Sequence, residues 1–142
     1  MSNASTATGG TATRRGAGRQ RIVTVVVATL ATVVVWLLAH SAFGVDIEVK
    51  TNGSASSVQL PAVIFATLVS GLLAWALIAL LERRPSGGRK AWVIIAVVVF
   101  LLSLVAGPGS GVTTSAKIAL ACLHTVAALV LVPGLARTVR KG

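Results

Sequence analysis

The chain is poor in side chains that carry chemistry. Its 142 residues include one cysteine, two histidines, three acidic residues and no tyrosine. The lone Cys122 excludes an intramolecular disulfide and a Cys-x-x-Cys redox pair, and no nucleotide-binding or His-Glu-x-x-His motif is present. A zinc site needs three or four ligands, which these residues do not supply without loop acids or another subunit. We therefore predict no catalytic residue, no metal and no cofactor, and we favour a protein that is not an enzyme.

Charge is absent from four long apolar runs, and this absence predicts membrane-spanning helices. About 20 helical residues cross a hydrocarbon core of about 30 Å, where a charged side chain costs at least ~2.5–3.5 kcal/mol. The predicted spans are residues 22–43, 61–81, 91–107 and 117–135, within a transmembrane domain over 21–137. With short connections, they predict an all-α membrane protein built as an up-down four-helix transmembrane bundle. The polar tail 1–20 is predicted to be disordered, and 138–142 forms a second tail.

The net charge of +10 is distributed unevenly along the chain. Eleven of the thirteen Lys and Arg residues, Arg21 among them, lie before span one, after span four or between spans two and three; the other two are Lys50 and Lys117, which begins span four. The positive-inside rule then places both termini in the cytoplasm. We assign the protein to the bacterial cytoplasmic membrane. The basic residues adjoin span ends and form no basic helix face with interleaved aromatics. They therefore favour contact with the lipid bilayer and argue against nucleic acid.

The first outer loop, residues 44–60, carries a strand-like pattern. Apolar and charged residues alternate from Val45 to Lys50, and the turn dipeptide Asn52-Gly53 follows. The pattern predicts a short β-hairpin over the bundle. Because an isolated hairpin is marginally stable in water, a solvated loop fits the sequence equally well.

Polar residues in the outer halves of three spans form the candidate site. We expect a polar pocket that opens outward and contains His124, Ser103, Thr125 and His40. An ionisable residue in a membrane is a functional hypothesis, but a neutral His124 that only hydrogen-bonds a neighbouring helix explains the sequence as well. Haem is disfavoured because the two histidines lie at different depths.

Small residues and prolines predict how the spans pack and end. A row at four-residue spacing in span two is expected to face the bundle interior or a partner subunit: Ala62, Ala66, Ser70 and Ala74. Thr24, Ala28 and Thr32 form a similar row in span one. Gly107-Pro108 is predicted to close span three, and Pro133 to end or kink span four.

From span two onward the chain resembles a family of small four-span bacterial membrane proteins known only as a domain of unknown function. The resemblance rests on Ala74-Trp75, Leu81-Glu82-Arg83-Arg84, Ser103-Leu104-Val105-Ala106-Gly107-Pro108, Leu123-His124, Val132-Pro133-Gly134-Leu135 and, in the outer loop, Val45-Asp46-Ile47-Glu48. It covers most of residues 22–140. It implies a four-helix membrane domain and no activity, and it singles out Ser103, Gly107, Pro108 and His124.

Three functional hypotheses remain open from the sequence. The first is a non-enzymatic membrane protein that assembles with itself or with a membrane partner protein through small-residue helix faces. The second is a small transporter or oligomeric pore that uses the pocket around His124. The third is a lipid- or quinone-binding membrane enzyme that uses the same pocket.

Overall fold

Four long helices and one hairpin make up the part of the chain that the structure describes. The structure, a computed structural model, describes residues 9–83 and 88–139, with side chains from residue 16. The helices are α1 (Gly9–Leu37, continued by a π-helical turn at Leu38–Ala42), α2 (Leu60–Leu81), α3 (Gly88–Gly109) and α4 (Thr114–Ala136). The strands are β1 (Glu48–Thr51) and β2 (Ser54–Ser57). All four helices are long and apolar enough to cross a membrane, which confirms the predicted fold class.

Helix α1 begins earlier than the sequence predicts. Residues 9–20 are helical in the structure, where a disordered tail was expected. Once a helix has formed, each added residue gains a hydrogen bond without a new nucleation cost, and no proline interrupts this segment. Residues 1–8 and 140–142 of the predicted tails lie outside the described residues.

Two prolines lie inside helices, where Pro108 was predicted to close span three and Pro133 to end or kink span four. Helix α3 passes through Pro108 to Gly109, and α4 passes through Pro133 to Ala136. A proline removes only one hydrogen bond from a helix. A tight turn after each proline closes the C-terminal end of its helix. The Gly111 N–H donates to the Pro108 carbonyl at 3.2 Å, as the Arg137 N–H does to the Pro133 carbonyl. Span three therefore has 22 residues, enough to cross a bilayer.

Helix α1 packs against both α2 and α4, and α4 packs against α3. The inward face of α1 is the small row Thr24, Ala28 and Thr32, and Ala28 is 0% exposed. At two glycines, the backbones of the neighbouring helices approach α1 closely. A Cβ atom at Gly134 would lie 2.5 Å from Thr24 Cγ2, and one at Gly71 would lie 2.7 Å from Val25 Cγ1. Small residues thus set the close approach of three helices.

The buried residues form two clusters at opposite ends of the bundle. The cluster near the α2–α3 connection includes residues of all four helices, among them Ile78, Trp92 and Leu135. The cluster under the hairpin joins Ile47 and Val63 to residues of α4 and contains none of α3. Helices α2 and α3 therefore meet at one end and leave the bundle open between them at the other.

The predicted β-hairpin is present. Strands β1 and β2 pair antiparallel, and Asn52 and Gly53 have φ values of 51° and 84°, as a tight hairpin turn requires. The loop between α3 and α4 adds a third segment: the Lys50 N–H donates to the Ser110 carbonyl at 2.8 Å, and the Val112 N–H to the Glu48 carbonyl at 2.9 Å. Ile47 is 3% exposed against the bundle. These contacts supply the stability that an isolated hairpin lacks.

A buried arginine joins three helix ends at the other end of the bundle. Arg21 of α1 is 6% exposed, forms an ion pair with Glu82 after α2, and donates from Nε to Thr138 Oγ1 after α4 at 3.0 Å. Thr138 Oγ1 in turn donates to the Leu135 carbonyl at 2.7 Å. We call this end, which also carries Arg83, Arg89, Lys90 and Arg137, the basic end. The sequence had suggested only a topological role for Arg21.

We predict that Arg21→Gln lowers the stability of the folded protein far more than Arg83→Gln. Removing one partner of a buried ion pair leaves the other charge without compensation and costs about 3–5 kcal/mol, whereas an exposed charge costs about 0.5 kcal/mol or less. Thermal unfolding in mild detergent measures both. Equal losses in the two variants would contradict a structural role for the Arg21 network.

Candidate functional site

His124 lines a cleft between α2 and α4, which we call the lateral cleft. Its volume is about 270 Å³. One wall is formed by Ala62, Ala66 and Ser70 of α2, the other by Leu120, Leu123 and His124 of α4. Thr32 and Thr67 also line it, and Val58 adjoins it from the hairpin side. Because Ala66 and Ser70 are exposed in mid-helix, the cleft reaches the surface that faces lipid.

The His124 ring is held between its own helix and α3. Its Nδ1 lies 2.7 Å from the Leu120 carbonyl oxygen, which accepts only, so Nδ1 carries the proton and donates. In the neutral ring Nε2 is then an acceptor. A Cβ atom at Gly107 would lie 2.5 Å from His124 Cε1 and 2.7 Å from Nε2, so the ring fits only because residue 107 is glycine.

Two threonines give the lateral cleft a polar lining that sequence reasoning did not assign to the site. Their hydroxyl oxygens, Thr32 Oγ1 and Thr67 Oγ1, lie 3.1 Å apart, and both side chains are buried. Each hydroxyl also lies within hydrogen-bond distance of a carbonyl of its own helix, Thr67 of Val63 and Thr32 of Thr29. A hydroxyl has one proton, so when one threonine donates to the other, only the second donates to its carbonyl. Two sequence features could have predicted this contact: Thr32 belongs to the small row of α1, and Thr67 follows Ala66 of the small row of α2.

Most of the small-residue row of α2 is exposed, and only Ala74 packs against a buried cluster, the one near the α2–α3 connection. Ala62, Ala66 and Ser70 are exposed and Ala74 is half-buried, which corrects the expectation that the row faces the interior of this bundle. The buried face of α2 lies one residue further on, at Val63, Thr67 and Gly71. One residue turns a helix by about 100°, so this offset moves the small row from the core to the lateral cleft. The alternative, contact with a partner subunit, remains a prediction.

His40 lies in a second cavity at the hairpin end, separate from His124. Its ring stacks on Trp36 with centroids 4.9 Å apart, its side chain is 49% exposed, and its Nδ1 lies 3.7 Å from Asp46 Oδ1. The cavity has a volume of about 230 Å³ and shares only Val58 with the lateral cleft. The π-helical turn at Leu38–Ala42 and the stacking on Trp36 place His40 under the hairpin.

Ser103 and Thr125 do not line the lateral cleft either. Ser103 Oγ donates to the Phe100 carbonyl of its own helix at 2.7 Å, and Thr125 is half-buried. The structure brings Gly107 of α3 to the His124 ring, and His40 lies in the separate cavity at the hairpin end. Among the described residues, no three His, Cys, Asp or Glu side chains are grouped closely enough to hold a metal ion.

A family model covers nearly the whole chain that builds this bundle. The model, described as a family of unknown function (DUF6069), matches residues 12–141. The chain belongs to this family. The match includes all four spans, the hairpin and the residues of the lateral cleft. Comparisons with curated proteins and with solved structures find no match.

We predict that Gly107→Ala destabilises the protein through His124. The added methyl group would overlap the imidazole ring, and overpacking of this kind costs about 1–3 kcal/mol. Gly109→Ala is the matched control on the same helix, because a Cβ atom there meets nothing within 4 Å. Thermal unfolding in detergent provides the measurement.

A double-mutant cycle separates this clash from a general effect on α3. In a His124→Ala background the ring is gone, so Gly107→Ala should cost much less there. An equal cost in both backgrounds would show that Gly107 and His124 are not coupled.

Proposed function

We propose that the protein is a non-enzymatic integral membrane protein that forms a pair with a second copy of itself, α2 against α2. One observation carries the proposal: Ala62, Ala66 and Ser70 are exposed side by side at membrane depth, along a cleft that the chain itself does not fill. The tails and the α2–α3 connection are placed in the cytoplasm and the hairpin outside, in a bacterial cytoplasmic membrane. The distribution of basic residues supports this orientation.

The physics of helix association in lipid favours this surface. Lipid tails are as apolar as leucine, so helices associate through van der Waals packing, and small residues allow their backbones to approach. Spacing of four residues puts Ala62, Ala66 and Ser70 on one face, the arrangement of a small-xxx-small dimer motif. A pair related by a two-fold axis along the membrane normal uses the same face of both copies and closes on itself.

The geometry gives less support to a transporter, a pore or a quinone site. Those hypotheses rest on one polar pocket around His124, and the cleft that His124 lines does not include Ser103, Thr125 or His40. The ring of His124 is engaged through Nδ1 with Leu120, and the threonines of the lateral cleft are paired with each other and with carbonyls. At the lateral cleft, the small-residue wall of α2 remains exposed and open to a partner helix.

Cysteine cross-linking in native membranes tests the pair. Both variants carry Cys122→Ala, because Cys122 is exposed and is the only native cysteine. Ala66→Cys is expected to give a disulfide-linked dimer under mild oxidation, since the proposed crossing brings two α2 backbones within the ~7 Å that a disulfide spans. Leu72→Cys is the matched control on α2, exposed and turned by about 120° from Ala66.

The outcomes of this experiment are distinct. Cross-linking at Ala66 alone supports the pair. Equal cross-linking at both positions indicates random collision, and none at either position, with the protein folded and in the membrane, contradicts the proposal. Ala66→Leu should reduce the dimer measured by light scattering in detergent, because the larger side chain separates the backbones.

A further inference from the structure

A second surface, on the opposite side of α4, combines apolar walls with a free positive charge. We call it the α1–α4 groove. It lies in the half of the bundle nearest the basic end and has a volume of about 310 Å³. Its walls are Val23 and Val27 of α1 and Leu129 and Val130 of α4, and Arg137 stands at its end. Leu129 is 68% exposed, so the groove is open to the surrounding lipid.

We propose that this groove binds an anionic phospholipid, with the phosphate on Arg137 and an acyl chain along the valine and leucine walls. Arg137 directly follows Ala136, the last residue of α4, and therefore lies where a membrane-spanning helix reaches the headgroups. The apolar walls extend from there into the span. Arg137 thus lies at the level of the headgroups, and the apolar walls lie at the level of the acyl chains, of the leaflet at the basic end.

The backbone of Arg137 is fixed while its guanidinium is available. Its neighbours Ala136 and Thr138 are buried, and Thr138 is held by Arg21 through hydrogen bonds to its hydroxyl at 3.0 Å and to its carbonyl at 3.4 Å. The Arg137 side chain is exposed and makes no ion pair with any residue that the structure describes. The Arg21 network thus fixes the position of Arg137 without neutralising the charge of its guanidinium.

Charge complementarity selects the lipid over other occupants. A second copy in this groove would bring its own basic end against Arg137, and the chain has a net charge of +10. Inorganic phosphate would pair with Arg137 and leave the apolar walls unused. An anionic phospholipid uses both features, and a juxtamembrane basic residue attracts anionic lipid by an amount that corresponds to about fivefold in affinity.

Native mass spectrometry of the purified full chain tests the proposal. The protein in mild detergent is titrated with phosphatidylglycerol, and separately with phosphatidylcholine. We expect tighter retention of phosphatidylglycerol, weakened about fivefold by Arg137→Gln and unchanged by Arg89→Gln, an exposed arginine at the same end that does not line the groove.

A second variant tests the apolar walls. Leu129→Trp should fill the groove and lower retention of phosphatidylglycerol. Leu129 is exposed, so the substitution leaves the buried clusters intact, and thermal unfolding checks that the variant folds. Equal losses in Arg137→Gln and Arg89→Gln would overturn the proposal in favour of diffuse charge attraction. Displacement of the lipid by inorganic phosphate at equal concentration would reassign the site to a free anion. Dimer loss in Leu129→Trp with lipid retention unchanged would reassign the groove to a second copy.

Discussion

The bundle depends on the small side chains along the inward face of α1. Thr24, Ala28 and Thr32 keep that face narrow, so that α2 and α4 both pack directly against α1. The glycines opposite, Gly71 and Gly134, bring their backbones to the side chains of α1 with no room for a Cβ atom. In lipid, where no hydrophobic driving force brings helices together, this close packing is a main source of association.

Polar contacts act mainly at the two ends of the bundle, outside the region that α1 organises. At the basic end Arg21 ties α1 to the chain after α2 and after α4, and at the other end the hairpin pairs with the loop before α4. Helix α3 has no residue in the buried cluster under the hairpin. The lateral cleft therefore follows from the fold itself: in the half that carries the hairpin, α2 packs mainly against α1 and reaches α4 near Val63, and nothing in the described chain fills the space between α2 and α4.

The sequence predicted features that depend on local pattern and missed those that depend on helix rotation. The spans followed from the absence of charge, and the hairpin from alternation before Asn52-Gly53. The small row of α2 was expected to face the bundle interior or a partner subunit, and the sequence could not choose between them, since Ala66 and Thr67 differ by only one residue in the chain and by about 100° around the helix.

The two histidines show the same limit of sequence reasoning. Both were expected in the half of the bundle that carries the hairpin loop, and each lines a cavity that the hairpin residue Val58 also lines. Their separation comes from the π-helical turn and the Trp36 stack, which leave no pattern in the sequence. Arg21 was one of several basic residues beside a span, and only its burial with Glu82, the sole acid on that side of the membrane, distinguishes it.

The polar side chains at membrane depth give the lateral cleft and the α1–α4 groove the character of binding surfaces and not of reactive centres. Most of them lie within hydrogen-bond distance of a carbonyl three or four residues earlier in their own helix: Thr24, Thr29, Thr32, Thr67, Ser70, Ser103 and His124. Such local bonds satisfy a polar group without a partner helix, which lets it lie in lipid at low cost. A side chain bonded in this way contributes its size and shape to the surface more than its chemistry. The spans consequently present mainly shape to their surroundings, and charged side chains lie near the helix ends, as Lys117 does at the hairpin end of α4 and Arg137 at the basic end.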